Sequence, residues 1–182
     1  MDDTVLKLAV PALLLAAVAL GLLVGFLFNV GGTWERIPDN AEDKAPRERL
    51  TLGQLGPFVR GRRDVTGGWQ EYSGLMWGRQ LKLTRRDFGV VALKRANFPE
   101  PLAKELDGDV FAELRLELVE QGTMLQGTFT PQKIDFLLAP PRITQRYWMP
   151  AVPRSYRRVT PAELLEPQRE PVPVGVKEGE PA

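Results

Sequence analysis

The chain contains no cysteine and no histidine. Without thiols it can form no disulfide, no thiolate-ligated zinc or iron–sulfur site and no cysteine nucleophile. Without imidazole it lacks the commonest general base and metal ligand near neutral pH, and a Ser-His-Asp triad is impossible. The G-x-S-x-G elbow, the phosphate-binding P-loop and the H-E-x-x-H zinc motif are missing too. Carboxylates are what remains for acid–base work, and Asp87, Asp107, Asp109 and Asp135 qualify by residue type alone. Asp107-Gly108-Asp109 reads as a turn, because it lacks the repeating oxygen ligands of a calcium loop. The expectation is a non-enzymatic protein with no catalytic residue, no cofactor and no metal site.

A strong charge of either sign is also missing: 24 Lys and Arg stand against 23 Asp and Glu in 182 residues. The distribution is uneven, since residues 54–160 hold 17 basic against 11 acidic side chains. That balance permits an anionic partner without demanding one, and nothing in it calls for a nucleic acid.

What the chain does have is one long apolar run. Residues 8–30 carry no charge and are built mostly from Leu, Ala, Val, Gly and Phe, among them Leu8, Leu14, Leu22, Phe26 and Phe28. As an α-helix, 23 residues reach about 34 Å, enough for a hydrocarbon core of about 30 Å. Pro11 suits a first helical turn and Gly31-Gly32 suits a stop. A cleaved leader is disfavoured because the run continues well past Ala17-Val18-Ala19. A buried core helix is disfavoured because the run is apolar on every face. The expectation is an uncleaved single-pass helix in a cell (inner) membrane after a tail of residues 1–7. Gly21 and Gly25 offer a spacing through which two copies could pack. Basic residues after the run favour a cytoplasmic domain, while the short tail before it favours an extracytoplasmic one, and the second tendency is preferred.

Residues 31–50 alternate in charge sign and contain Pro38 and Pro46, a composition that reads as a flexible linker. Within it, Trp34 is expected at the lipid headgroups, where an amphipathic indole is at home.

Residues 51–160 read as a mainly β domain. Leu114, Leu116 and Leu118 alternate with Glu113, Arg115 and Glu117, a half-buried strand, and residues 110–130 form a β-hairpin across Gly122. An earlier hairpin runs from Phe58 through Thr66-Gly67-Gly68 to Arg85, with a bulge or bend at Gly74 and Gly78. Residues 90–94, 133–138 and 143–149 are further strand candidates. Six or seven short strands suit an antiparallel β-barrel, preferred here over a sandwich. A short helix is expected from Pro99 or Glu100 to Leu106, packed on one barrel end. Another begins at Thr160, where T-x-x-E with Glu163 makes a capping box, and a Pro/Glu-rich tail completes residues 161–182.

One aromatic and basic constellation stands out: Trp69, Tyr72 and Trp77 with Arg79, Arg85 and Arg86, then Arg146-Tyr147-Trp148 and Tyr156-Arg157-Arg158. Arginine beside aromatic rings binds carboxylate or phosphate while the ring covers apolar groups. The expected role is a membrane-anchored accessory, assembly or scaffold subunit of an integral membrane protein complex. The alternative is a tethered barrel that binds a lipid or another small apolar or anionic ligand.

Overall fold

The computed structural model describes residues 11, 13, 15–21, 23, 27–38 and 48–165, with the side chains of Leu164 and Leu165 excepted. Nine strands follow one another: β1 (Gly32–Ile37), β2 (Arg49–Leu55), β3 (Phe58–Val65), β4 (Gly68–Trp77), β5 (Gln80–Phe88), β6 (Val110–Val119), β7 (Met124–Leu138), β8 (Pro141–Trp148) and β9 (Val152–Arg158). Helix α1 (Val90–Arg95) and helix α2 (Glu100–Glu105) join β5 to β6, and helix α3 (Pro161–Leu165) follows β9.

Strands β1 to β6 form a meander, β6 pairs with β7, β7 pairs with β9, and β9 returns to β1. All pairings are antiparallel, and eight strands close the expected barrel, more than the six or seven read from the alternation. Closure requires sharp strand curvature, and Gly74 shows how it is reached. A Cβ there would lie 1.8 Å from the Lys82 carbonyl oxygen on the neighbouring strand, so only glycine fits.

The remaining strand leaves the barrel. The first half of β7 pairs with β6 and β9, and its second half, Gln132 to Leu138, pairs with β8 alone. The β7–β8 hairpin is thus an arm that projects beyond the barrel wall. A register shift between Asp135 and Phe136 leaves Thr144 as the extra residue of a bulge in β8.

The two ends of the barrel differ. One end gathers Val30, the β2–β3 and β4–β5 turns, and the start of α3; the N-terminal helical residues arrive here, with the Gly21 carbonyl beside Gly56. The other end carries α1, α2 and the arm, which share a second small core of Leu93, Ala103, Leu106, Phe111 and Ile134. The main core lies inside the barrel and includes Leu50, Leu52, Val59, Met76, Leu81, Leu83, Leu114, Leu116 and Leu125.

Several expectations need correction. Residues 31–50 are not simply a flexible linker, because residues 32–37 are strand β1 and Arg49 already opens β2. Pairing with β9 and β2 satisfies the backbone of β1, which outweighs its polar composition. Trp34 is accordingly not a headgroup anchor: it is fully buried, its Nε1 donates to the Val30 carbonyl at 2.8 Å, and the Arg158 guanidinium lies 4.8 Å from its ring. Residues 90–94 are helical and not a strand, since Gly89 turns the chain with φ 105° and Leu93 is drawn into the second core. Residues 69–85 are two strands, with the turn at Gly78.

Among the described residues no helix is long and apolar enough to cross a membrane. Pro11, Leu13, residues 15–21, Leu23 and Leu27 are helical. Leu8, Leu14, Leu22, Gly25 and Phe26 lie outside the described residues. Phe28 is half-buried and packs against the barrel core, which places it on the domain.

Candidate functional site

Along the barrel interior each strand changes character from one end to the other. On β5, Leu81 and Leu83 are buried and share a face with Arg85 and Asp87. On β3, Val59 is followed on the same face by Arg63; on β4, Met76 is followed by Tyr72 and Gln70. Trp34 gives way to Arg36 on β1, and Leu50 to Glu48 just before β2. Strand alternation places these residues on the inner face. The arm end of the barrel is therefore lined with charge and the Val30 end with hydrocarbon.

The charged groups hold one another. Glu48 accepts from Arg154 at 3.2 Å, lies 3.4 Å from Arg63, and receives the Tyr156 hydroxyl at 3.4 Å. Asp87 pairs with Arg85 at 2.8 Å and accepts from Gln70 Nε2 at 3.3 Å. The Tyr72 hydroxyl and Arg63 both donate to Gln70 Oε1, at 3.2 and 3.3 Å. The Phe129 ring sits between two guanidiniums, Arg85 at 5.5 Å and Arg154 at 4.7 Å from its centroid. Burial pushes the Tyr72 phenol up to about 12, an effect partly opposed by Arg85. Burial also pushes the Tyr156 phenol up, and the Glu48 charge adds to the shift. Both phenols are neutral donors at physiological pH.

Above this network opens a cavity of about 460 Å³ between the barrel mouth, α1 and the base of the arm. Its polar side is Gln70, Arg85, Asp87 and Gln132, and its apolar side includes Trp69, Phe88, Phe98, Phe111 and Phe136. Trp69 and Phe88 stack with centroids 5.1 Å apart, and Arg62 covers the outer face of Trp69. Gln132 Oε1 is buried with no hydrogen-bond partner among the described residues. Such a cavity can take a small ligand with an apolar body and an anionic or hydrogen-bonding end.

The aromatic and basic constellation read from the sequence does not form one surface. Tyr72, Arg85 and Tyr156 are inside the barrel mouth, and Trp69 is on the cavity wall. Trp77 is 80 % exposed at the opposite end, and Arg79 beside it donates to the Leu118 carbonyl at 2.7 Å. Arg146, Tyr147 and Trp148 lie on the arm, where Arg146 is ion-paired with Asp109, Tyr147 faces Lys133 and Trp148 is exposed. Sequence reasoning missed Glu48, Arg63, Gln70, Phe129 and Arg154. The period-2 pattern already puts Arg63, Gln70 and Arg85 in phase with buried apolar residues, which is the signal that marks them.

The carboxylates considered for acid–base work are separated in role. Asp87 is neutralised by Arg85, Asp107 accepts from the Gly89 N–H, and Asp109 accepts from the Val110 N–H. Asp135 pairs with Lys133 on the arm. Among the described residues no group of three or more Asp and Glu could hold a metal ion.

The fold defines the class of the protein: mainly β, with a closed eight-stranded antiparallel barrel and few short helices. Comparison with protein-family models, curated proteins and solved structures found no match for the chain.

Proposed function

We propose that the protein is a non-enzymatic, membrane-anchored accessory module that holds the arm at a fixed place for a protein partner in a membrane complex. The observation that carries this reading is the free edge of β8. Every barrel strand has neighbours on both sides, whereas β8 pairs with β7 alone among the described strands. An unpaired edge offers backbone N–H and C=O groups to an added strand, and the alternating side chains supply selectivity. Arg142, Thr144, Gln145 and Arg146 are exposed along it, and Leu137, Leu138, Trp148 and Met149 give the arm apolar contact area. The apolar N-terminal run supports the membrane location, and its helical residues meet the barrel at the end opposite the arm.

The test is purification of the full chain in mild detergent, with and without Thr144→Pro. Proline is tolerated at a bulge and blocks strand addition. A stoichiometric partner should accompany the native chain and be lost from the variant at unchanged melting temperature. A monomer in both preparations sinks the reading.

A second reading rests on the mouth cavity: a tethered barrel binding a small anionic, partly apolar ligand. An anionic naphthalene dye is a suitable probe. Its fluorescence should rise with the native protein and fall several-fold with Arg85→Met. Equal signal from both would show that the cavity is not the binding place.

A further inference from the structure

At the Val30 end, large apolar side chains stand on the outside of the barrel. Leu55, Phe58, Leu75 and Trp77 are 76, 63, 53 and 80 % exposed. The ladder register makes them neighbours: Leu55 is opposite Phe58, Phe58 is opposite Leu75, and Trp77 is two residues further along β4 on the same face. The same cross-strand row continues from Leu75 to Lys82 and on to Arg115, both exposed, with Glu113 between them at 3.7 and 3.6 Å. A contiguous apolar patch with two cations around one carboxylate at its border is unusual on a surface that meets only water.

The patch is continuous with the N-terminal helix. Gly21 packs on the β2–β3 turn, with its carbonyl oxygen 3.3 Å from where a Gly56 Cβ would sit and Pro57 against its own Cα face. Leu13, Leu15, Val18 and Leu20 precede that contact and are all exposed. The apolar run thus meets the barrel beside Leu55 and Phe58.

We propose that this rim rests on the lipid bilayer: Leu55, Phe58, Leu75 and Trp77 dip into the headgroup region while Lys82 and Arg115 meet lipid phosphates. An indole at a hairpin turn is suited to the interface, and long basic side chains reach headgroups while their stems cover apolar surface. The inference rests on the membrane location proposed above and adds an orientation to it. With this rim on the lipid, the β7–β8 arm points away from the membrane, toward a partner's soluble portion.

The absence of cysteine makes the test direct. Single replacements Trp77→Cys, Leu20→Cys and Leu138→Cys in the full chain carry an environment-sensitive fluorophore, in vesicles of phosphatidylcholine with and without phosphatidylglycerol. At position 77 the emission should shift to the blue and be quenched several-fold more by spin-labelled lipid than at 138, more strongly with the anionic lipid. Emission at 77 as water-exposed as at 138, with 20 quenched, overturns the seating of the rim while the anchor stands. Quenching at 77 without quenching at 20 supports the rim and overturns the anchor. Shielding of 77 from aqueous iodide without quenching by lipid assigns the patch to a second copy or another protein, and overturns the proposal.

Discussion

The two ends of one barrel are built on opposite principles. The Val30 end is filled by leucines, Met76 and the Trp34 indole, with Val30 tucked in and its N–H bound to Gln54 Oε1 at 2.8 Å. The arm end is filled by guanidiniums, two carboxylates, two phenols and an amide. Hydrocarbon burial favours folding without any directional requirement, at roughly 25 cal/mol per Å². Buried charge is favourable only when every member of the network is held, and it loses more than it gained when one member is removed. One end therefore holds the barrel together, while the other gives up some of that stability for a polar interior that reaches the surface. The outer faces follow the same division, since the apolar-filled end also carries the apolar rim.

The strongest blow to the comparison falls on the apolar end. Trp34→Ala should cost about 3–5 kcal/mol and Leu83→Ala about 2–5 kcal/mol, read from denaturant unfolding. If neither moves the midpoint, the apolar half is not what closes the barrel. At the charged end Glu48→Gln leaves Arg63 and Arg154 without their counter-charge, and about 1–3 kcal/mol should be lost. Adding Arg63→Met should recover part of it, and a double variant no more stable than the single one would deny that the groups act as a unit.

Alkaline titration sharpens the contrast further. Because the folded Tyr72 phenol is raised to about 12, its contribution to stability is complete below the ordinary phenol value of 10.0 and disappears as pH rises through about 12. Phenolate absorbance should therefore lag until the protein unfolds, and Tyr72→Phe should flatten the alkaline loss. Early ionisation of all the tyrosines would place the network in water.

The smallest effect is expected outside the barrel. Glu163 is held down to about 2, first by the Thr160 backbone N–H and then by Arg157, which also reaches the buried Glu35. Its contribution is present above the ordinary carboxyl value of 4.5 and is lost as pH falls toward about 2. Glu163→Gln should remove only this acid-side dependence, visible as a slight change in melting temperature between mildly and strongly acidic buffer. A larger effect would mean that α3 braces the barrel and does not merely cap it.

Local patterns were legible where neighbours in sequence decide the outcome. The 110–130 hairpin appears as β6 and β7 joined through residues 120–122. The T-x-x-E signal is a capping box in which the Thr160 N–H donates to Glu163 at 2.8 Å. The helix before Gly108 is α2. Illegible were the elements whose stability comes from distant partners. The stretch around Trp34 looked like a tether because its polar residues hide a strand that is completed by β2 and the distant β9. Helix α1 looked like a strand because VVALK has strand composition, and its helical state depends on the core it shares with α2 and the arm.

By itself, the amino-acid sequence determined the β class, the turns at 66–68 and 120–122, the absence of thiol and imidazole chemistry and the existence of one apolar N-terminal run. Those properties are set by composition and by periods of two to four residues. Tertiary structure alone decided that the barrel closes, that Trp34 lies in its core, and that Glu48 meets Arg154 across 106 residues of chain. It also decided that the aromatic and basic residues divide between a mouth, an arm and a rim. Closure depends on pairing β1 with β9, and such a pairing is specified by the fit of two distant segments, which no local pattern records.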